Sequence, residues 1–438
     1  MYKIKKLSEL RDKLGKSTVK SILVNVCRLV LAVTFIFSGY VKAIDPLGTQ
    51  YKLHDYAGAV GVSAWVPDWL MLTSSVGLSA LEFCLGIFLL FAIHRRLASR
   101  LTLVFMVVMT LVTLWLFVAN PIEDCGCFGD ALKLTNGQTF AKNLVLLACA
   151  AVVAWQPLRM MRFISESSQW IVVNYSILFI VVSSLWSLYT LPTFDFRPYH
   201  VGADIRKGME IPEDAPQPQF ETTFIMEKDG VQQEFSLDNY PDSTWTFIDS
   251  KTIQTEKGYV PPIHDFSITL RESDEDITDQ VLSRAGYTLL LIAPHLERAD
   301  DTNFGEINQL HEYAIEHDIP FYCLTASTDK PIRRWIELTG AEYPFCTTDE
   351  TTLKTMIRSN PGLMLLRDGV VAAKWSHNQL PTVERLLSPT TSSTPGKIVE
   401  ILLCFVLPLT LLTLADRTWA WTKWIRRKRN KSKKNVEK

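Results

Sequence analysis

Six long apolar runs constrain this 438-residue chain more than any other feature. They lie at about Leu23–Ile44, Leu70–Ile93, Leu101–Asn120, Phe140–Gln156, Ile171–Leu191 and Ile398–Ala415. A helix crosses the hydrocarbon core of a bilayer with roughly 20 residues, and every run meets or approaches that length. The basic lead before the first run has the look of a signal peptide. That run is too long, however, and no small-residue cleavage site follows it, so it reads as a retained helix. The formal net charge of −1 conceals a strong segregation: +5 over residues 1–20, +9 over residues 417–438 and −16 over residues 192–396. Basic loops stay on the cytoplasmic side of a membrane. A cytoplasmic N-terminus then puts residues 1–20, residues 94–100, the Arg159/Arg162 loop and the tail inside, and all four are basic. Residues 45–69, 121–139 and 192–396 fall outside, and six crossings return both termini to the cytoplasm.

Between the third and fourth runs lies the polar loop Asn120-Pro-Ile-Glu-Asp-Cys-Gly-Cys-Phe-Gly-Asp130. Two thiols two residues apart beside a membrane face point to thiol redox or metal chemistry rather than packing. The topology puts Cys125 and Cys127 in an oxidising compartment. Extended Cα atoms two residues apart lie about 6.5–7 Å from each other, at the upper limit for a disulfide. A bend at Gly126 closes that gap, and the strained ring suits a bond that is made and broken. A passive loop constraint is the competing reading. A metal site lacks a neighbouring Cys or His cluster, so no metal is assigned. Cys27, Cys84, Cys149 and Cys404 all lie within the apolar runs.

Glu82 falls near the middle of the second run, where an ionisable group is costly and faces a partner or a cavity. Arg28 lies about two turns inside the first run, and the two either pair across helices or Arg28 snorkels to the interface. A structural ion pair and an intramembrane proton or quinone site are both open for Glu82 and Arg28. Lys42, Asp45 and Pro46, at the outer end of the first run, read as interface anchors.

Residues 197–285 read as irregular and β-rich, after a linker marked by Pro192, Pro198, Pro212, Pro216 and Pro218. Phe224–Phe235 forms a hairpin around Asp229-Gly230. From Tyr287 strands and helices alternate. Strands are expected at Tyr287–Ala293, Pro320–Leu324 and Tyr343–Cys346. Helices are expected at 301–316, at Lys330–Thr339 stopped by Gly340, and at Glu350–Arg358. A hairpin of Leu363–Leu366 and Val370–Trp375 turns at Asp368-Gly369, and Leu380–Leu387 closes as a helix. Such alternation implies a mainly parallel sheet covered on both faces. Cys323 and Cys346 lie in two of these strands, either as a disulfide or as reduced core thiols.

Over about residues 285–388 this order resembles the thioredoxin fold in its longer form, with Pro361 of Asn360-Pro361-Gly362 at the position of that fold's cis-proline. Where thioredoxins carry Cys-x-x-Cys, this chain reads Ala293-Pro-His-Leu-Glu-Arg-Ala-Asp300. The resemblance therefore implies a platform for a peptide or partner, not a dithiol enzyme, and His295 reads as an exposed loop residue.

A second resemblance covers about residues 20–160. Phe35-Ile-Phe-Ser-Gly-Tyr-Val-Lys-Ala-Ile-Asp-Pro46, followed by Tyr51-Lys-Leu-His-Asp-Tyr56, resembles the opening of DoxX-type four-helix membrane proteins. Asp124-Cys-Gly-Cys-Phe-Gly129 resembles the methylamine-utilisation member of that group, MauE, and Glu82 matches the group's acidic position on the second helix. With the added fifth helix, external domain and last helix, the chain is similar to long DoxX-family proteins of Bacteroidetes-type bacteria. The resemblance implies a multi-pass protein of the bacterial inner membrane. It links the chain to maturation of disulfide-rich periplasmic proteins, or to sulfur oxidation coupled to a membrane quinone.

The expected fold class is thus an α-helical membrane bundle with an extracytoplasmic α/β domain. The bundle has a four-helix DoxX/MauE-like core and two further transmembrane helices, and the α/β domain is thioredoxin-like with a β-rich lead-in. The expected boundaries are a basic N-terminus (1–20), the four-helix domain (21–160), a fifth helix (171–191), the β-rich region (192–285), the thioredoxin-like domain (286–388), a sixth helix (398–416) and a basic tail (417–438). The expected function is thiol–disulfide redox or maturation through the Cys125/Cys127 loop, with periplasmic client proteins or a redox partner. The alternatives are a non-enzymatic envelope scaffold and a subunit of a quinone-linked sulfur oxidoreductase. The basic cluster Arg426–Lys431 directly follows a membrane helix, which favours anionic lipid over nucleic acid.

Overall fold

The computed structural model describes residues 2–122, 124–217, 219–228, 231–236, 239, 244–256, 258–388 and 394–436. The expected turn at Asp229-Gly230 lies outside the described residues, as do most side chains of the two basic ends. The chain forms two compact units: residues 1–197 with 375–438, and residues 198–374.

The first unit is helical. Its helices are α1 (Tyr2–Ile44), α2 (Pro46–Ala59), α3 (Asp68–Phe91), α4 (Arg95–Ala119), α5 (Asn136–Trp155) and α6 (Gln169–Tyr189). Six helices are long and apolar enough to cross a membrane, at Thr18–Ile44, Asp68–Phe91, Arg95–Ala119, Asn136–Trp155, Glu166–Tyr189 and Thr394–Arg426. Each apolar run of the sequence matches one of them to within two residues at its C-terminal end or lies inside it. Their outward faces are apolar too: Leu29, Val33, Val104, Leu111, Leu178 and Leu185 are all exposed. Water would not tolerate so continuous an apolar exterior, whereas lipid does.

Small residues set how the spans pack. A Cβ at Gly39 would fall on the Phe83 backbone nitrogen, and one at Gly86 would lie 2.7 Å from the Ile36 nitrogen. Only glycine lets α1 and α3 approach this closely. Below that crossing, Leu31, Ala32, Phe35, Leu85 and Leu89 form one core with Met106, Leu146 and Ala150 from α4 and α5.

At the end away from the Cys-Gly-Cys loop, side chains clamp the connection before α6. Asn25 donates to the Arg159 carbonyl at 3.1 Å and Arg28 to the Met161 carbonyl at 2.5 Å, while Arg95 reaches the Leu158 carbonyl at 2.9 Å. Buried Asp416 accepts from the Ser165 backbone at 2.7 Å and from the Ser168 hydroxyl at 2.7 Å. Midway along the last span, the π-helical turn Leu402–Val406 presents Phe405, whose ring stacks on Phe179 with centroids 4.2 Å apart.

The second unit carries two sheets. The lead-in contains a three-stranded antiparallel sheet in the order β2-β1-β3, from β1 (Gln219–Lys228), β2 (Val231–Ser236) and β3 (Thr246–Glu256). A short helix, α7 (Ile205–Met209), precedes it. The larger sheet comprises β4 (Thr269–Leu270), β5 (Glu275–Asp276), β6 (Tyr287–Ile292), β7 (Phe321–Thr325), β8 (Phe345–Thr347), β9 (Gly362–Arg367) and β10 (Val370–Ser376). Its order is β10-β9-β6-β7-β8-β4-β5. The helices of this region are α8 (Thr278–Ser283), α9 (Phe304–Glu316), α10 (Asp329–Thr339) and α11 (Glu350–Met356). After β10, whose last residues cross the unit boundary, come α12 (Val383–Leu386), α13 (Thr394–Ile401) and α14 (Leu407–Val436) in the first unit.

The elements from Tyr287 onward fall where the sequence pattern puts them, to within a few residues. Gly340 caps α10 in the left-handed region at φ 67°, and Asp368 and Gly369 turn the final hairpin at φ 53° and 78°. The sheet, however, is mixed rather than mainly parallel. Only β6, β7 and β8 pair in parallel; β9, β4 and β5 join antiparallel. Helical crossovers α9 and α10 join the parallel strands β6, β7 and β8, whereas α11 leads into β9, which runs antiparallel to β6. The outer edge of β10 is covered by residues 202–204 of the lead-in, with Gly202 donating to the Val371 carbonyl at 2.7 Å.

Cys323 and Cys346 are both buried and free, so the disulfide alternative does not hold. The register explains why. Cys323 lies opposite Phe345 and Cys346 opposite Leu324, so the thiols are offset by one residue and point to opposite faces. Burial pushes the Cys346 thiol up to about 12 and raises that of Cys323 as well.

Candidate functional site

The Cys-Gly-Cys loop closes on itself. Cys125 and Cys127 are joined by a disulfide, with their Cα atoms 5.4 Å apart. Gly126, at φ 62°, makes the bend, and its amide donates to the Asp124 carboxylate at 2.9 Å. The next turn is closed by the Gly129 amide on the Gly126 carbonyl at 3.0 Å. A capping box of Thr135 and Gln138 starts α5 immediately after the loop. Asn136 ties the loop's ends together, donating to Asn120 and to the Ile122 carbonyl at 2.8 Å each.

The loop has a cover that the sequence reading missed. Residues 46–59 form α2, with Asp45 as N-cap, accepting from Gly48 at 2.9 Å, and Pro46 in the first turn. Asp45 and Pro46 therefore start a helix rather than anchor an interface. An Asp-Pro pair is a helix-start signal and could have revealed it. From α2, the Tyr56 hydroxyl donates to the Cys125 carbonyl at 2.8 Å, and Lys52 pairs with Asp124 at 3.1 Å. Burial raises the Tyr56 hydroxyl well above its ordinary range, and the nearby Asp124 and Asp55 charges add to that, so it stays a donor. A Cβ on Gly126 would lie 3.0 Å from the Lys52 side chain, so glycine serves the close approach as well as the bend.

Beneath the loop lies a buried ion pair. Glu82 accepts from Lys42 at 2.6 Å and from the Ser38 hydroxyl at 2.6 Å; Ser38 also lies 2.7 Å from the Cys127 carbonyl oxygen. Lys42 and Glu82 are each about 95% buried or more. Ser38 and Lys42, one turn apart on α1, share a face, and the Gly39 crossing brings that face to Glu82. Lys42 is thus the partner of Glu82, not an interface anchor. Arg28 does not join them. It lies fourteen residues from Lys42, about 21 Å along the same helix, and it packs over the Phe163 ring at 5.1 Å. The candidate pair of Glu82 and Arg28 is therefore two separate features.

A cavity of about 340 Å³ of empty volume, counting the part open at its mouth, sits against this pair. Lys42, Glu82, Lys142 and Cys127 line it together with Phe35 and Met106. The Lys142 ammonium lies 4.1 Å from the centre of the Phe128 ring. A smaller hollow is lined by both cysteines, Asp124 and Lys133. Among the described residues no group of three or more His, Cys, Asp or Glu side chains is placed to hold a metal ion.

In the second unit, His295 at the end of β6 is engaged rather than free in a loop. Its Nε2 lies 2.9 Å from Glu350 and its Nδ1 3.3 Å from Glu297. The Lys354 hydrogen bond, joined by that of His295, holds the Glu350 carboxyl below its usual range against the opposing effect of burial. Asn360 donates to the His295 carbonyl at 2.8 Å, and the following Asn360–Pro361 peptide is cis.

The bundle, its apolar exterior and the loop together define a multi-pass membrane protein with a disulfide seated on a buried ion pair. Residues 20–156, slightly less than a third of the chain, match the family model of methylamine utilisation protein MauE, which makes this a MauE-like membrane protein. Residues 220–257 match a domain of unknown function, DUF8463, which coincides with the three-stranded sheet. No curated protein matches the chain.

Proposed function

We propose that this protein is a thiol–disulfide exchange factor of the bacterial inner membrane that serves the maturation of exported proteins through Cys125 and Cys127. The observation that carries this reading is the disulfide itself. It sits in the MauE-matched region, at the mouth of the bundle, over the buried Lys42–Glu82 pair. In this reading both termini are cytoplasmic and the loop and residues 192–396 are periplasmic, as the charge segregation of the loops supports. The helices before residue 160 form a four-helix core of the DoxX/MauE kind.

The second unit serves as a thioredoxin-like platform for client proteins. Its β6-β7-β8 core and closing hairpin support that reading. In this reading His295 and Glu297 lie in the stretch that carries the usual dithiol, and Glu350 pairs with His295 at 2.9 Å. A membrane quinone is the electron partner this reading calls for. The Lys42 and Lys142 ammonium groups near Glu82 are donors of the kind that a quinone's carbonyl oxygens take. Such a quinone supplies a two-electron sink.

The test is the disulfide pattern of exported proteins in cells that carry Cys125→Ser/Cys127→Ser. Accumulation of reduced exported proteins supports exchange. An unchanged pattern, with loss of function only on removing residues 192–396, supports the second reading, a non-enzymatic scaffold, which the His295–Glu350 cluster favours. Thiosulfate-dependent quinone reduction by the purified chain would instead favour a sulfur oxidoreductase subunit.

A further inference from the structure

We propose that the cavity beneath the loop is built to hold the Cys127 sulfur as a thiolate, so that Cys127 exchanges with the partner dithiol and Cys125 is the leaving group. This rests on the exchange reading above and adds the division of labour within the pair.

Charge balance is the first argument. Lys42, Lys142 and Glu82 line one cavity with Cys127. Lys42 and Glu82 neutralise each other at 2.6 Å. Lys142 forms no ion pair among the described residues; its ammonium faces the Phe128 ring. The cavity therefore carries one more cation than anion, in surroundings where an unmatched charge is costly. A reduced loop supplies the missing anion as the Cys127 thiolate. The groups around the smaller hollow do not reverse this balance. Lys133 and Asp124 share the smaller hollow with both cysteines, and Asp124 is already paired with Lys52 at 3.1 Å. Tyr56 faces Cys125 as a hydroxyl donor. Thiolates gather where cations outnumber carboxylates.

Access is the second argument. Cys125 is only 6% exposed, beneath Tyr56, whereas Cys127 is half-buried and lines both hollows. A partner thiolate thus reaches the Cys127 sulfur first. Its attack breaks the Cys125–Cys127 bond, and Cys125 leaves and takes up one proton. The partner's second thiol, having lost its proton to water, attacks the partner's own sulfur in the mixed disulfide, and Cys127 leaves as a thiolate. One partner dithiol becomes a disulfide. The loop gains two electrons and one proton, and the other proton goes to water. Lys142 acts here as a positioning residue for the departing charge.

The experiment uses the full chain carrying Cys125→Ser, purified and chemically reduced. The rate of iodoacetamide alkylation at Cys127 is followed against pH, peptide by peptide, by mass spectrometry. Adding Lys142→Met should move the half-maximal pH up by about one unit and slow alkylation at pH 7 roughly tenfold, while Lys142→Arg should keep the parent profile. A Lys142→Met profile that overlays the parent, or an equal upward shift with Lys142→Arg, overturns the proposal. Lys142→Gln stands in if Lys142→Met does not fold, with the same two outcomes. Because the protein starts reduced, a bond that never turns over in cells would sink the exchange reading without altering these profiles. Unchanged profiles would sink the assignment of Cys127 alone.

Discussion

Lys42 and Glu82 meet at 2.6 Å although forty residues separate them on two helices, and the Cys127 carbonyl oxygen lies one hydroxyl group away through Ser38. Three parts of the bundle converge there: the outer part of α1, the middle of α3 and the loop before α5. A non-helical loop packed on the bundle needs side chains to satisfy its buried backbone groups. Tyr56 does that for the carbonyl of Cys125, and the Ser38 oxygen, whose proton Glu82 accepts, lies 2.7 Å from that of Cys127.

Removing one member of the pair should be far worse than removing both. Lys42→Met or Glu82→Met leaves a lone buried charge, which costs about 3 kcal/mol or more, whereas the double variant keeps the volume and removes both charges. Thermal unfolding of the purified protein in detergent measures this. A double variant less stable than both single variants contradicts the pairing.

The α1–α3 crossing makes a prediction of opposite sign at two glycines. Gly39→Ala should destabilise the bundle, because its new Cβ meets the Phe83 backbone. Gly77→Ala, on α3 away from that crossing, meets nothing within 4 Å and should be neutral or stabilising by up to about 1 kcal/mol, as expected for glycine in a helix. The same unfolding measurement decides both.

Tyr56→Phe deletes the hydroxyl bound to the Cys125 carbonyl. The loss is about 1 kcal/mol, the net worth of one such bond. Its clearer sign should be faster reduction of the loop by added thiols, since α2 then covers the disulfide less firmly. A reduction rate equal to that of the parent would show that the cover does not control access.

The His295 cluster gives the second unit a pH dependence. The folded Glu350 carboxyl lies below its ordinary value of 4.5, so the unfolded chain takes up the proton first as pH falls. Its contribution to stability is full above that value and is lost as pH drops through the lower, folded value. Hydrogen exchange of β6 and α11 at pH 6 and pH 3.5 should show protection lost at the acid end. Glu350→Gln should remove this part of the loss.

Much of this was legible in the sequence because it rests on period and charge. The six spans follow from unbroken apolar runs, and β6 through β10 from buried strands punctuated by Gly340 and Asp368-Gly369. The candidate disulfide and its bend at Gly126 were likewise readable from two cysteines around a glycine. What was not legible depends on helix rotation and strand register. Lys42 looked like an interface residue because its neighbours in sequence lie at the helix end; only the Gly39 crossing turns it onto Glu82. Arg28 resembled a partner for Glu82 because both are charges inside apolar runs, yet depth along α1 separates them. Cys323 and Cys346 missed each other by one residue of register. The mixed sheet escaped because the apolar pattern of β9 does not carry its direction, and two-residue β4 and β5 carry too little pattern to show.

The central claim is that the Cys125–Cys127 bond turns over. Differential alkylation of the loop in intact cells, before and after respiratory electron transfer is blocked, tests it most directly. The account predicts that oxidised and reduced loops coexist in growing cells and that the reduced fraction rises under the block. A loop that stays fully oxidised in both conditions would contradict it and leave the disulfide as a fixed closure of the loop.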